Sequence, residues 1–142
     1  MNITKSTKKS DIQRDWHLID VKGEILGRIS TKIANLLMGK SKPYFVRNLD
    51  CGDYVVVINA RDIKVTGKKE HDKKYYRHSG FPGGFKVESF KDLKQKNPEE
   101  IIRHAVKGML PQNRLRDRML KKLFVFANSS HPYTDKIKKE SN

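Results

Sequence analysis

Between Thr66 and Lys86 the chain reads TGKKEHDKKYYRHSGFPGGFK. Lys68, Lys69, Lys73, Lys74 and Arg77 supply cations, Tyr75, Tyr76 and Phe81 supply flat rings, and His78 can serve as either. Gly80, Pro82, Gly83 and Gly84 give a backbone that turns sharply and lets a neighbour come close. Cations that neutralise phosphate, rings that stack on bases and thin backbone are what a folded RNA surface demands. The plainer reading of the same run is a solvated basic helix followed by a loop. Adjacent residues point in different directions, so one of Tyr75 and Tyr76 is expected to pack inward and the other outward.

Further cations extend this pattern. Arg114, Arg116, Arg118, Lys121 and Lys122 form a second basic run, and Lys107-Gly108 precedes Met109-Leu110-Pro111. Met109 and Leu110 are read as core. Gly108 inside a helical pattern costs about 1 kcal/mol relative to Ala, which suggests that RNA or another backbone comes close there. Arg28, Lys40 and Lys42 are weaker candidates, because a helix C-terminus favours lysine whatever the function.

Catalytic constellations are missing. Met38-Gly39-Lys40-Ser41 looks like the end of a phosphate-binding loop, but Ala34 stands where the first glycine should be. These residues also end a helix instead of joining a strand to a helix start. The histidines at 17, 71, 78, 104 and 131 show no metal-ligand spacing with acids or Cys51. His71 and His78 sit seven apart, compatible with one helical face, but beside so many lysines a phosphate contact or simple exposure fits better than a cation site. Asp50 and Asp53 flank Cys51-Gly52 and read as turn formers before a strand. No nucleophile elbow is present. No cofactor, metal or small-molecule substrate is implied.

Composition narrows the partner. The 142 residues carry 31 Lys and Arg against 16 acids, a formal net charge of +15 and a pI near 10.0. That imbalance costs self-repulsion unless a polyanion offsets it. The charge runs along the whole chain, so the folded body itself is expected to face the polyanion, and nucleic acid fits best. An anionic membrane fits less well, because no strongly amphipathic basic helix carries a Trp/Phe face. A single cysteine excludes an intramolecular disulfide, and Cys51 reads as a small buried side chain. No apolar run approaches the roughly 20 residues needed to cross a bilayer. Neither a secretory signal nor a transit peptide is visible, so a cytoplasmic location is the simplest expectation.

These groups need elements to position them. Residues 1–15 read as a basic extension, 16–128 as one globular domain and 129–142 as a basic tail. Residues 1–13 and 134–142 have too few apolar groups to offset ordering entropy and are expected to be mobile in the isolated protein. Trp16–Val21 reads as a strand. Leu26, Ile29, Ile33, Leu36 and Leu37 make the apolar stripe of a helix ended by Gly39. Tyr54–Ile58 is an unbroken apolar run, the signature of a central parallel strand covered on both faces. Asp62–Thr66 alternates like a short edge strand. Asn97 reads as the cap of a helix with Pro98 at its first position and Glu99 and Glu100 in its first turn. Ile101, Ile102, Ala105, Val106, Met109 and Leu110 supply its buried stripe. Lys122–Ala127 makes a last strand. Strand–helix alternation predicts an α/β sheet with helices on its faces.

Taken in order, the motifs resemble the universal family of the thirteenth protein of the large ribosomal subunit, in its bacterial form. They are Arg14-Asp15-Trp16 with Asp20, Leu26-Gly27-Arg28 into Ile33-Ala34, Gly39-Lys40, and Gly52-Asp53-Tyr54 through Asn59-Ala60. Thr66-Gly67-Lys68-Lys69, Lys73 to His78 with Gly80 and Gly83-Gly84, and the highly specific Ala105-Val106-Lys107-Gly108-Met109-Leu110-Pro111 continue the match. The resemblance runs from about Arg14 to His131. It implies a three-layer α/β/α fold on a small, mostly parallel central sheet. It also implies a non-enzymatic ribosomal protein that binds large-subunit ribosomal RNA directly and early, beside neighbouring large-subunit proteins and without homo-oligomers. The chain departs from the family at Leu115-Arg116-Asp117, where Leu-Gly-Arg is usual, at Asn128, where Gly is usual, and in its lysine-rich ending. The competing class is a free regulatory RNA-binding module outside the ribosome, but no aromatic RNA-recognition, zinc or helix-turn-helix signature is present.

Overall fold

The computed structural model describes residues 5–138 of the chain. Residues 1–4 and 139–142, the outermost parts of the two expected extensions, lie outside the described residues. Three strands form a parallel sheet in the order β1-β2-β5: β1 (Trp16–Asp20), β2 (Tyr54–Ile58) and β5 (Leu123–Val125). Val56 aligns with Leu18 on one side and Phe124 on the other. Because β2 is central, both its faces are covered, and Val55, Val56 and Val57 are all fully buried. Fully burying each such side chain is worth about 1.5–3 kcal/mol.

Alternation along the strands separates two faces. Val55 and Val57 join a core built with α1 (Leu26–Met38) and α4 (Pro98–Met109), where Leu26, Ile29, Ile33, Leu37, Ile101, Ile102 and Val106 are buried. Trp16, Leu18, Tyr54, Val56 and Phe124 lie on the opposite face. Trp16 stacks on Tyr54 at 4.4 Å between ring centres, and Tyr133 covers Trp16 at 5.2 Å and Phe124 at 4.5 Å. Tyr133 leads into α6 (Thr134–Lys138), which packs beside β1 and places the Lys136 ammonium 4.8 Å above the Trp16 ring. The result is a three-layer α/β/α arrangement whose second outer layer comes from the segment read as a tail. From His131 to Ile137 that segment belongs to the folded body, because the aromatic face would otherwise meet water.

α1 ends where the sequence indicates. Gly39 adopts φ 77°, and its N–H donates to Asn35 O at 3.0 Å. A side chain there would be strained and would also place Cβ 2.5 Å from Cys51 O. On the opposing strand of this crossing, a Cβ on Gly52 would lie 1.6 Å from Leu37 O. Two glycines therefore let the loop before β2 pass directly against the end of α1.

Three expectations need correction. Asp62–Thr66 is not an edge strand: Ile63 is drawn into the core, and only one parallel bridge forms, between Ile25 and Lys64, before the chain around Ile25 turns into α1. Asn97 makes no side-chain cap, because α3 (Phe90–Lys96) runs up to it and its N–H closes that helix on Leu93 O at 2.8 Å. Met109 is 41% exposed: α4 stops there, and the extended backbone at Leu110 turns Leu110 into the core instead.

Candidate nucleic-acid interface

The basic run of residues 68–78 is neither a long helix nor a loop. It makes one turn of helix, α2 (Lys69–Asp72), and then β3 (Lys74–His78), which pairs antiparallel with β4 (Phe85–Ser89). His71 and His78 therefore sit on different elements. The connection closes with Gly84 N–H donating to Phe81 O at 3.0 Å; Pro82 stands at the second turn position and Gly83, φ 72°, at the third, as a type II turn requires. A Cβ on Gly84 would lie 1.9 Å from the Ser79 hydroxyl.

The hairpin is anchored through one face. Tyr75 is half-buried, meets His104 of α4 edge-to-face at 5.1 Å, and carries the Lys73 ammonium 5.6 Å from its ring centre. Its phenol oxygen is buried without a hydrogen-bond partner, and burial pushes its pKa up. Arg77 lies on the same face, 4.0 Å from Glu88, an exposed pair worth little in stability.

Anchoring the hairpin on α4 brings separated cations together. A groove of about 500 Å³ opens between the first turn of α1, the Thr66–Lys73 segment and the last turns of α4. Arg28, Lys69 and Lys73 line it with His104, and no carboxylate among the described residues does. Gly27 and Gly108 lie in its wall from the two facing helices, and a Cβ at either would meet nothing within 4 Å. No internal contact requires glycine at these two positions. Met109 separates this groove from a second one of about 420 Å³ that holds Lys40 and Arg47 among Phe45, Met38 and Met119 of α5 (Leu115–Leu120).

The remaining site candidates fall into two groups. Lys68, Lys74, His78, Lys107, Arg114, Arg118 and Lys121 are exposed, and Arg116 is half-buried with Nε lacking a hydrogen-bond partner. Lys42 and Lys122, in contrast, turn into the protein. Lys122 is 6% exposed and donates to Asp50 at 2.5 Å. Burial pushes its ammonium pKa down, more than Asp50 raises it. Arg14 closes this cluster, donating to Gly52 O at 2.5 Å and to Asp50 O at 2.8 Å.

Lys42 is bound to Asp53, a buried carboxylate that also meets His17 at 2.8 Å and accepts from Asp15 N–H at 3.1 Å. Burial pulls the Lys42 pKa down, but its interactions with Asp53 and Tyr44 together outweigh it and the net shift is upward. For Asp53, burial raises the pKa and is overcome by the Lys42 and His17 bonds, so its net shift is downward. Asp50 and Asp53 thus clamp the chain around residues 13–17 and Lys42 to the loop before β2, a larger role than turn formation. Thr7 and Gln13 further tie the expected extension to Tyr44.

Arg47, His104 and Gly27 are not among the residues that the sequence reading assigns to RNA contact. His104 had a usable signal, its i, i+4 spacing from Gly108 on one helix face. Arg47 lies in an irregular segment and has none.

Fold and rim together define a class: a basic α/β/α domain with a groove lined by cations and, among the described residues, no helix long and apolar enough to cross a membrane. The family model described as ribosomal protein L13 matches residues 14–132. A protein of Dehalococcoides mccartyi named large ribosomal subunit protein uL13 is 53% identical over 141 residues, covering 97% of this chain and 99% of the relative. Proteins of the same name from Geobacter sulfurreducens and Dictyoglomus thermophilum are 51% and 48% identical, covering 94% and 98% of this chain and 93% and 98% of their own lengths. The chain belongs to the ribosomal protein L13 family of the large ribosomal subunit.

Proposed function

We propose that this protein is a non-catalytic structural constituent of the large ribosomal subunit that binds large-subunit ribosomal RNA directly and supports early subunit assembly in the cytoplasm. The observation that carries the reading is the groove where Arg28, Lys69 and Lys73 meet without a carboxylate. Three cations from two separate stretches of sequence, Arg28 on α1 and Lys69 and Lys73 on the Thr66–Lys73 segment, share one concave surface, and mutual repulsion there is relieved by phosphate. Lys68, Lys74, His78, Lys107, Arg114, Arg118 and Lys121 extend the positive field around it, with Lys40 in the adjoining groove. Gly27 and Gly108 keep the walls thin enough for a sugar-phosphate backbone to enter. Recognition rests on backbone shape, because A-form grooves are read mostly through phosphate and 2′-hydroxyl contacts. Neighbouring large-subunit proteins complete the surroundings, and neither a second copy of the chain nor a cofactor is needed.

Filter binding to large-subunit RNA over a salt series tests this. Neutralising roughly six to ten phosphates gives log K against log salt a slope of about −4 to −9. A slope near −1 refutes the electrostatic reading. Sedimentation of extract separates the alternative of a free regulatory RNA-binding module: a ribosomal protein travels with the large subunit and leaves almost no free pool.

A further inference from the structure

The face of the hairpin turned away from α4 is not used by the fold. Cross-strand register places Lys74, Tyr76 and His78 of β3 opposite Ser89, Val87 and Phe85 of β4. All six side chains alternate to this outer face. Tyr76 is 66% exposed and Phe85 59%, although burying such rings is ordinarily favourable. Their rings stack on each other across the strands, 5.9 Å apart and 18° from parallel, so the two are already flat and co-oriented. Phe81, 74% exposed at the turn, continues the surface. Lys74 and His78 border it, and the only acid on the two strands, Glu88, lies on the opposite face.

We infer that Tyr76 and Phe85 form a platform on which an unpaired RNA base stacks, with Lys74 and His78 meeting the phosphates on either side. The occupant follows from charge and shape together. A surface that is aromatic and flat, with the Lys74 ammonium at one end and the His78 imidazole at the other, suits a base with its own phosphates; the Asp92 carboxylate beside it is held by the Ser89 hydroxyl at 2.8 Å. A protein partner would have to leave the Lys74 ammonium uncompensated or bring an acid to it. The platform therefore selects a looped-out or single-stranded nucleotide, while the α1–α4 groove tracks backbone. Stacking thus moves from Tyr75, which anchors the hairpin, to its neighbour.

This inference rests on the proposed RNA binding, and one experiment separates the two. Large-subunit RNA transcript is titrated with wild type, Tyr76→Ala/Phe85→Ala and Phe85→Tyr over a salt series, with thermal unfolding of each. The exposed positions leave the melting temperature nearly unchanged, and circular dichroism checks that the hairpin variant stays folded. The expected result is a loss of about tenfold in affinity for the double variant, within the range measured per stacked base, with the salt slope unchanged. Phe85→Tyr keeps the ring and keeps the affinity. Undiminished affinity in the double variant overturns the platform while leaving RNA binding in place, and so does a loss accompanied by a shallower slope. Undiminished affinity for naked RNA combined with loss from assembled subunits shows that the face takes a protein instead. Failure of wild type to bind the transcript at all overturns the proposed function, and the platform with it.

Discussion

Lys121→Ala and Lys122→Met delete adjacent ammonium groups, and the two variants are expected to fail in different assays. Lys122 is 6% exposed and bound to Asp50 at 2.5 Å, whereas Lys121 is exposed. Methionine keeps most of the Lys122 side-chain length and removes its charge, while Asp50 retains the Gly52 N–H at 3.3 Å and the Arg14 guanidinium at 3.7 Å. That partial loss is worth about 1–2 kcal/mol. Asp50→Ala instead leaves the Lys122 charge buried without its partner, at about 3–5 kcal/mol. At about 4 °C per kcal/mol for a chain of this length, melting temperatures fall by roughly 4–8 °C and 12–20 °C respectively.

Burial lowers the folded pKa of Lys122 below its ordinary 10.5, so the unfolded chain holds this proton more tightly. The group's contribution to stability therefore rises with pH between its folded value and 10.5, and Lys122→Met removes that rise. RNA binding gives the converse pattern. Lys121→Ala leaves melting nearly unchanged but takes about 0.7–0.9 from the salt slope, one phosphate contact, whereas Lys122→Met leaves the slope as it was. Calorimetry and filter binding on the three variants decide the matter. A Lys122→Met protein with wild-type melting and a slope reduced by one contact would refute the internal role of Lys122.

Val56→Asp is expected to unfold the domain, since an unpaired carboxylate at a fully buried central-strand position costs several kcal/mol; a cooperative thermal transition in this variant contradicts it. Gly52→Ala should lose several kcal/mol because its Cβ would stand 1.6 Å from Leu37 O, and an unchanged denaturant midpoint would show that α1 yields there at little cost. The depressed pKa of Asp53 predicts that the stability it contributes is present above about 3.8 and is lost as pH falls through the lower folded value. Asp53→Asn lacks that contribution at neutral pH, so an acid titration of its melting temperature should be flatter than that of wild type.

Periodicity makes α1 and β2 legible. α1 and β2 bury what their patterns say, because a stripe at helical spacing and a continuous β-branched run each have one good way to meet a core. The hairpin was hidden because its outer face buries nothing, so β3 and β4 lack the alternation of a half-buried strand. Charge alone could not distinguish a lysine facing solvent from one turned inward. Lys122 finds Asp50 across 72 residues, a pairing set by β5 lying beside β2, and Lys42 finds Asp53 across 11 within the irregular connection from α1 to β2. The groove was half visible: its residue types were singled out, but their convergence depends on Tyr75 docking against His104.

The aromatic cover supplied by Tyr133 and α6 also sets an order of events during synthesis. β1 and β2 leave the synthesising ribosome first, and their Trp16, Tyr54 and Val56 face has nothing to rest on until Leu123–Val125 pairs beside β2 and Tyr133 settles over Trp16. A parallel strand pairing of this span closes a long loop, which is entropically slow. The nascent chain therefore exposes a sticky apolar wall for most of its production and is at greatest risk of aggregation just before it is finished. A truncated product ending before β5 lacks both the third strand and the cover, so its Trp16, Tyr54 and Val56 face stays exposed.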